Sequence, residues 1–126
     1  VMNFATGAVT ATLSDDTGRC AVAVYDVRGL DSTTPVDTYT YVGSGASMSD
    51  TQTTTSGGFV VGFIVTNGAE TISWDSGLTE DANVQIGTSG RYMAAASETA
   101  SGSTLAVTAS TSGTTTQTTM LLVSMY

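Results

Sequence analysis

The feature that most constrains this chain is a period-two alternation of apolar and polar residues, which recurs between clusters of Gly, Asp, Asn and Ser. Successive side chains of a β-strand point to opposite faces, so this alternation is typical of short strands with two different environments. Helical periodicity is almost absent. Ser and Thr make up about a third of the residues, and Thr, being β-branched, suits strands better than helices. The sequence therefore predicts an all-β protein.

Eight to ten strands are expected. Their patterns fall at residues 8–13, 20–27, 36–42, 47–56, 58–66, 71–75, 82–86, 91–98, 105–109 and 120–126. We predict two antiparallel sheets packed face to face, because no helical segment is available to cover parallel crossovers. A jelly-roll sandwich is the first prediction. An immunoglobulin-like sandwich is the alternative, although the Cys, Trp and Cys pattern of true immunoglobulin domains is missing.

The strongest strand pattern lies at residues 58–66, where two phenylalanines and two valines share one face. We expect this segment to be the main core strand. The pair Asn67–Gly68 follows it and is typical of a hairpin turn, so residues 71–75 are predicted to be its partner. Trp74 in that partner is expected to lie in the core beside Phe63.

Two segments are apolar on both faces, residues 20–27 and residues 120–126. Residues 20–27 are predicted to be a central strand covered on two sides or a strand at an oligomer interface, and the two segments together suggest that the sandwich is completed by neighbours. The threonine-rich segment at residues 47–56 is predicted to be an exposed edge strand. The Ser, Thr and Gly tract at residues 110–119 is predicted to be a loop or a threonine ladder, and Val84 is expected to point inward.

The length of 126 residues is close to the commonest domain size, so we expect one domain over residues 1–126. The chain starts within a strand-like pattern, which leaves open an upstream segment in a longer chain. No run approaches roughly eighteen apolar residues, and no charged region precedes an apolar one at the start. Neither a membrane span nor a signal peptide is therefore predicted.

The charge balance is strongly acidic. The chain has no Lys, three Arg and eleven acidic residues, which gives a net charge of -8. Phosphate backbones and anionic membrane surfaces would repel such a chain, so we expect no nucleic-acid partner and no membrane partner. Arg28 and Arg91 are expected to neutralise neighbouring carboxylates.

The absence of His is the sharpest chemical constraint. It removes the commonest general base, the Ser–His and Cys–His pairs and the best zinc ligand. Carboxylates remain, with Asp15 beside Asp16, Glu80 beside Asp81, and single acids. Neighbouring residues on a strand point to opposite faces, so neither pair supplies two carboxyls facing each other across a cleft. We predict no catalytic residue, no cofactor and no enzymatic activity.

Metal and thiol chemistry are not predicted either. Asp15, Asp16 and the segment at residues 75–81 could offer oxygen ligands to calcium, but the EF-hand spacing is not met anywhere. An Asp in a turn more often caps its own backbone. The lone Cys20 cannot close a disulfide within the chain, and its apolar neighbours favour a buried small hydrophobe over a reactive thiol.

Tyr39 and Tyr41 are the candidate binding residues. They share one face of the strand predicted at residues 36–42, and we interpret that face as the more polar one. Exposed rings there would suit a protein partner or a glycan, and a subunit interface would use them equally well.

Several stretches carry a family resemblance. They are residues 18–25 (GRCAVAVY) with the exit at residues 29–32 (GLDS), the strand that opens at Gly57, residues 74–81 (WDSGLTED), residues 93–97 (MAAAS) and the threonine-rich segment before Met120. These stretches resemble a family of phage- and prophage-encoded structural β-proteins of the head or tail accessory type. They are core and turn patterns, and none is a catalytic signature.

The resemblance implies a virion component on the virion surface, and so outside the cell. It would be a capsid decoration or cement protein, a head spike or fibre component, or a tail-associated module that assembles with the major capsid protein or other virion proteins. Terminal apolar strands such as residues 120–126 can be shared between protomers, so we predict a homo-oligomer with a trimer favoured. Two alternatives stay open, a tail-fibre or adhesin module that binds host-surface carbohydrate and a bacterial surface-layer or filament subunit.

Overall fold

The computed structural model describes residues 21–68, 71–87, 90–113 and 115–126. Within these residues the fold is all-β, with eight strands and no helix. The strands are β1 (Asp37–Gly43), β2 (Ser47–Thr53), β3 (Phe59–Asn67), β4 (Ile72–Ser76), β5 (Thr79–Gln85), β6 (Arg91–Thr99), β7 (Thr104–Thr111) and β8 (Gln117–Met125). None of the described residues belongs to a helix that could span a membrane.

The strands form two antiparallel sheets. One has five strands in the order β1-β8-β3-β6-β5, and the other has three in the order β2-β7-β4. The pairs are nested along the chain, with β1 on β8, β2 on β7 and β3 on β6. This is the pattern of a long hairpin rolled into a jelly roll, except that β5 extends the larger sheet beyond β6. The predicted antiparallel sandwich of jelly-roll type is confirmed.

The core lies between the sheets. The larger sheet contributes Val60, Ile64, Ala94, Ala96, Met120 and Leu122, and the smaller sheet contributes Met48, Ile72, Val107 and Ala109. Leu78, between β4 and β5, also belongs to this cluster. The alternation of the sequence accounts for this choice, because each strand sends every second side chain inward.

Two glycines allow the sheets to approach and connect. A Cβ atom on Gly62 would lie 2.5 Å from Cη2 of Trp74 and 2.6 Å from Cδ1 of Leu78, so the indole packs directly on the backbone of β3. Gly77 has a φ of 86°, a left-handed conformation that glycine adopts readily, and there the chain leaves β4 for the other sheet.

The hairpin predicted at Asn67–Gly68 is wrong. β4 pairs with β7 in the three-stranded sheet, whereas β3 pairs with β6 and β8. The chain crosses between sheets after β3, and the amide of Gly68 donates to the carbonyl of Gly90. Trp74 packs against the core as expected, but on Gly62, since Phe63 lies on the opposite face of β3.

The face of β3 that carries its two phenylalanines points away from the core. Val60, Ile64 and Thr66 are the fully buried side chains of this strand, whereas Val65 on the other face is 47% exposed. Val84 was expected inward and is 42% exposed, because it lies opposite Met93 on the outer side of the sheet. β3 is apolar on both sides, so its pattern alone did not identify the core face.

The remaining segments divide between confirmed and corrected predictions. β2 is an edge strand with exposed Ser and Thr side chains, as predicted. The tract at residues 110–119 contains the end of β7 and the start of β8 around a short connection. Residues 21–27 belong to neither sheet, so the central strand predicted at residues 20–27 is wrong over its described part. The strand predicted at residues 8–13, together with Asp15, Asp16 and Cys20, lies outside the described residues.

Candidate functional site

Two rows of uncharged side chains cross the outer side of the five-stranded sheet. Residues opposite each other on paired strands share a face, so the register assigns each row directly. The first row is Val42, Thr119, Val65, Met93 and Val84. The second row is Thr40, Leu121, Phe63, Ala95 and Ala82. We call these ten positions the apolar face.

Much of the apolar face is in contact with solvent. The exposed fractions are 63% for Val42, 47% for Val65, 42% for Val84 and 38% for Leu121. An apolar side chain that is exposed alone is ordinary, but a contiguous group on one face marks an interaction surface. The sequence produces this face because β3, β6 and β8 are apolar at both odd and even positions.

One segment lies over part of this face. Residues 21–30, here called the strap, belong to no strand or helix, and from residue 21 to residue 28 they alternate between half-buried and exposed positions. Ala21, Ala23 and Tyr25 are on the half-buried side, whereas Val22 and Val24 are 54% and 60% exposed. The strap therefore covers apolar side chains of the sheet and presents two further valines to solvent.

Tyr25 anchors the strap to the sheet. Its ring makes edge-on contacts with Phe59 and Phe63, with centroids 6.2 Å and 5.7 Å apart. Its hydroxyl donates a 2.7 Å hydrogen bond to Oδ2 of Asp81. Burial, together with the hydrogen bond to Asp81 and the negative charge on that residue, raises the pKa of Tyr25 above its ordinary value. The phenol therefore remains a proton donor to the carboxylate at physiological pH.

An apolar groove runs beside the anchor. It has a volume of about 470 Å³ and lies between the strap, from Ala21 to Tyr25, and the strands β5 and β6. Ala82, Val84, Met93 and Ala95 form the wall on the sheet side. The small alanines on both walls leave this space between strap and sheet.

The outer side of the three-stranded sheet has the opposite character. It carries rows of hydroxyl side chains at exposed or half-exposed positions, which we call the hydroxyl face. Its members on β2 and β7 are Ser47, Ser49, Thr51, Thr53, Thr104, Thr108 and Ser110, with Ala106 among them. The sandwich thus has one apolar and one hydroxyl outer side.

A second groove lies where the strap ends, and we call it the end groove. It has a volume of about 520 Å³. Its walls are the segment from Asp26 to Asp31, the turn that leads into β3 with Phe59, the end of β6 at Thr99, and Tyr126. Most of the lining is contributed by polar groups, in contrast to the groove under the strap.

Charge in the end groove is partly neutralised. Arg28 donates to Oδ2 of Asp26 from Nε at 2.9 Å and from Nη2, which confirms the expectation that Arg28 pairs with a neighbouring carboxylate. The hydrogen bonds from Arg28 hold the pKa of Asp26 below its usual range, so Asp26 is ionised at physiological pH. Arg91 differs from the expectation, because its Nε donates to Oδ1 of Asn67.

Tyr39 and Tyr41 lie on the inner side of β1. Both rings are half-buried and pack against the core, and the hydroxyl of Tyr41 accepts a hydrogen bond from the amide of Gly45. The interpretation that they occupy the more polar face is wrong, because Thr38, Thr40 and Val42 form the outer side of this strand. A role for the two rings in binding a partner or a glycan stays a prediction.

The described acids that were considered for catalysis or calcium have individual hydrogen-bond partners. Asp75 accepts from the hydroxyl of Ser110, Glu80 accepts from the side-chain amide of Asn83, and Asp81 accepts from the hydroxyl of Tyr25. Across residues 21–68, 71–87, 90–113 and 115–126, no three Asp, Glu, Cys or His side chains come together as a metal site would require.

Sequence reasoning did not identify the strap, the apolar face or the end groove. One signal was available, namely the doubly apolar pattern of β3 and β8, which requires cover on both sides of the sheet. Comparison with models of known protein families, with curated proteins and with solved structures finds no match for this chain.

Proposed function

We propose that this protein is a non-enzymatic structural component of a virus particle, a capsid decoration or cement protein or a head spike or fibre component. It works by protein–protein assembly at the virion surface, as a homo-oligomer with a trimer favoured. The observation that supports the proposal is the apolar face, which is uncharged and carries four large apolar side chains exposed to solvent on a small acidic protein. The family resemblance of the sequence supplies the virion setting.

A second copy of this chain is the occupant that fits the apolar face best. The net charge of -8 makes any two copies repel each other, and the repulsion is smallest where they meet through surfaces without carboxylates. All ten positions of the apolar face are uncharged. Because these rows hold no carboxylate, contact between two copies through them does not place one carboxylate opposite another. By contrast, the neighbouring strap carries Asp26, and the edge strand β5 carries Glu80 and Asp81.

The gain from such contact is large enough to matter. Val42, Val65, Val84 and Leu121 average about half exposed. Full burial of a Val or Leu side chain contributes about 1.5–3 kcal/mol, so covering the exposed half of these four would contribute about 3–6 kcal/mol per protomer before the entropy of association is subtracted.

The hydroxyl face suits the outward side of a decoration protein. Uncharged hydroxyls stay hydrated, and the long, threonine-rich edge strand β2 presents alternating side chains without a large exposed apolar residue. The carbohydrate-binding alternative is not favoured at Tyr39 and Tyr41, because both rings pack inward against the core.

The proposal is tested by location. Labelled protein should co-purify with intact virus particles from the lineage that encodes it. The variant Val42→Glu should be lost from them, because it places a charge at a 63% exposed position of the apolar face. Thr51→Glu, which places the same charge on the hydroxyl face, should be retained. Absence of the wild-type protein from the particles would rule out the virion role.

A further inference from the structure

The end groove is separate from the apolar face and has the properties of a small-molecule site. Its volume of about 520 Å³ lies within the range of about 300–1,000 Å³ that is usual for ligand pockets. Of the residues that line it, none belongs to the two rows of the apolar face. A ligand could therefore occupy it while the apolar face is covered.

The walls of the end groove are fixed by backbone hydrogen bonds. The amide of Ser32 donates to the carbonyl of Tyr126 at 3.0 Å, which joins the segment after the strap to the residue that follows β8. Gly57 donates to Ala100 at 2.8 Å, and Ala100 donates to Gly58 at 2.7 Å, which joins the turn before β3 to the end of β6. The groove is thus preformed, which lowers the entropy cost of binding.

Close packing sets the shape of one wall. A Cβ atom on Gly58 would lie 2.7 Å from the carbonyl oxygen of Met125 and 2.8 Å from that of Thr55. Any larger residue would push the turn away from β8. Glycine at this position therefore allows the turn, and Phe59 next to it, to lie close to the end of β8.

The side chains in the groove combine rings with hydrogen-bonding groups. Phe59 is half-buried and held edge-on by Tyr25, while Tyr126 is 40% exposed. Asp26 and Asp31 offer carboxylate acceptors, and the guanidinium of Arg28 and the hydroxyl of Thr99 offer donors. The groove therefore presents apolar ring surface beside acceptors and donors of both kinds.

This combination selects among ligand classes. An anionic ligand such as a phosphate would meet two carboxylates and only one guanidinium, which already pairs with Asp26. A purely apolar ligand would leave the polar groups that it covers without hydrogen-bond partners, which is costly. A neutral sugar presents hydroxyl groups that donate to carboxylates and accept from a guanidinium, together with C–H faces that pack on aromatic rings.

We propose that the end groove binds a neutral carbohydrate, with the ring of Tyr126 against a sugar face and Asp26, Asp31 and Arg28 bonded to its hydroxyls. This site goes beyond the proposed assembly role and does not depend on it. In a surface-located protein it would give the particle a contact with glycans.

The test uses the purified protein on an array of neutral and charged glycans, followed by titration calorimetry with the best neutral glycan. We expect binding to neutral glycans that weakens at least tenfold in Tyr126→Ala and in Asp31→Ala. Tyr126→Phe keeps the ring and should retain most of the affinity. Thr51→Ala, on the hydroxyl face, should bind like the wild type.

Three results would overturn the site. One is no binding to any neutral glycan by folded protein, as judged by circular dichroism. Another is glycan binding that persists unchanged in both Tyr126→Ala and Asp31→Ala. The third is binding only to the cationic, amine-bearing glycans of the array, which would assign the carboxylates and rings to a basic ligand. None of these results depends on self-association, so they leave the assembly proposal to its own test.

Discussion

Replacing Gly62 by alanine tests how the two sheets pack. Gly62 lies in the middle of β3, and its backbone is covered by the indole of Trp74 from the opposite sheet. An added methyl group would lie 2.5 Å and 2.9 Å from Cη2 and Cζ3 of Trp74, and 2.6 Å from Cδ1 of Leu78. Carbon atoms at ordinary contact are about 3.5–4.0 Å apart, so the ring and Leu78 would both have to move by about 1 Å.

The expected cost follows from overpacking. Inserting a methyl group into a well-packed core destabilises by about 1–3 kcal/mol, because side chains leave their preferred rotamers. Glycine to alanine also removes backbone freedom from the unfolded chain, which stabilises by about 0.4–1 kcal/mol where the new residue fits. Gly102→Ala is the matched control, since no atom lies within 4 Å of the position that its methyl group would occupy. The control gains the entropy benefit without the clash.

The assay is urea unfolding followed by fluorescence. Trp74 is the single tryptophan of the chain, so the signal reports directly on the inter-sheet contact. We expect the free energy of unfolding of Gly62→Ala to be about 1–3 kcal/mol below that of Gly102→Ala, with a changed emission maximum in the folded state. If the two variants unfold within about 0.5 kcal/mol of each other with the same emission maximum, Trp74 does not pack on Gly62 and the inter-sheet geometry is wrong.

Three further predictions follow from single contacts. The carboxylate of Asp37 accepts hydrogen bonds from the backbone amides of Thr53 and Thr38, each at 2.8 Å, and the bond from Thr53 is the main cause of the lowered pKa of Asp37. The stabilisation from these bonds is complete above pH 3.8 and is lost as the pH falls through the lowered pKa. Asp37→Asn should therefore flatten the acid limb of a curve of stability against pH, and an unchanged acid limb would contradict this prediction. Tyr25→Ala should speed tryptic cleavage after Arg28 by about 2- to 10-fold relative to cleavage after Arg91, because ring contacts worth about 0.5–1.5 kcal/mol are lost. Tyr25→Phe keeps the ring and should change the cleavage rate little. Equal rates in the wild type and both variants would show that the ring does not hold the strap. In thermal melts, Gly77→Ala should be less stable than Gly29→Ala by about 1–3 kcal/mol. Both glycines have a left-handed φ, but only at Gly77 would the added methyl group meet a carbonyl oxygen, that of Ala106 at 2.2 Å. Equal melting temperatures of the two variants would refute this close approach.

The fold class could be predicted because period-two alternation and the lack of helical periodicity are visible within single short segments of the sequence. Strands such as β7, in which Val107 and Ala109 point inward, follow this pattern without ambiguity. The pairing of β4 could not be predicted in the same way. Asn67–Gly68 has the composition of a hairpin turn, yet the choice between a hairpin and a crossover depends on which distant strand covers Trp74.

The outward and inward faces of β3 could not be separated from the sequence. Both are apolar, and the core face is the one that carries Gly62, since only a residue without a side chain leaves room for Trp74. Tyr39 and Tyr41 were misplaced for a related reason. Their hydroxyl groups suggest a polar face, but a tyrosine can pack its ring on the core and still satisfy its hydroxyl at the edge, as Tyr41 does with Gly45.

The candidate surfaces arise only when strands combine. No stretch of sequence shows that Val42, Val65 and Val84 lie in one row, because they come from three strands joined through the register of the sheet. The end groove likewise unites the strap, a turn and Tyr126. The doubly apolar pattern indicated strands with apolar side chains on both sides, and in the structure the outer side of the larger sheet is apolar and partly exposed.

The central claim is that the apolar face joins copies of this chain, and sedimentation equilibrium of purified protein tests it most directly. The account predicts a mass of three times the 12.8 kDa chain for the wild type, and a single-chain mass for folded Val42→Glu and Leu121→Glu. Thr51→Glu, with the same added charge on the hydroxyl face, should keep the wild-type mass. A wild-type protein that stays monomeric at high concentration, or folded glutamate variants of the apolar face that assemble like the wild type, would contradict the account.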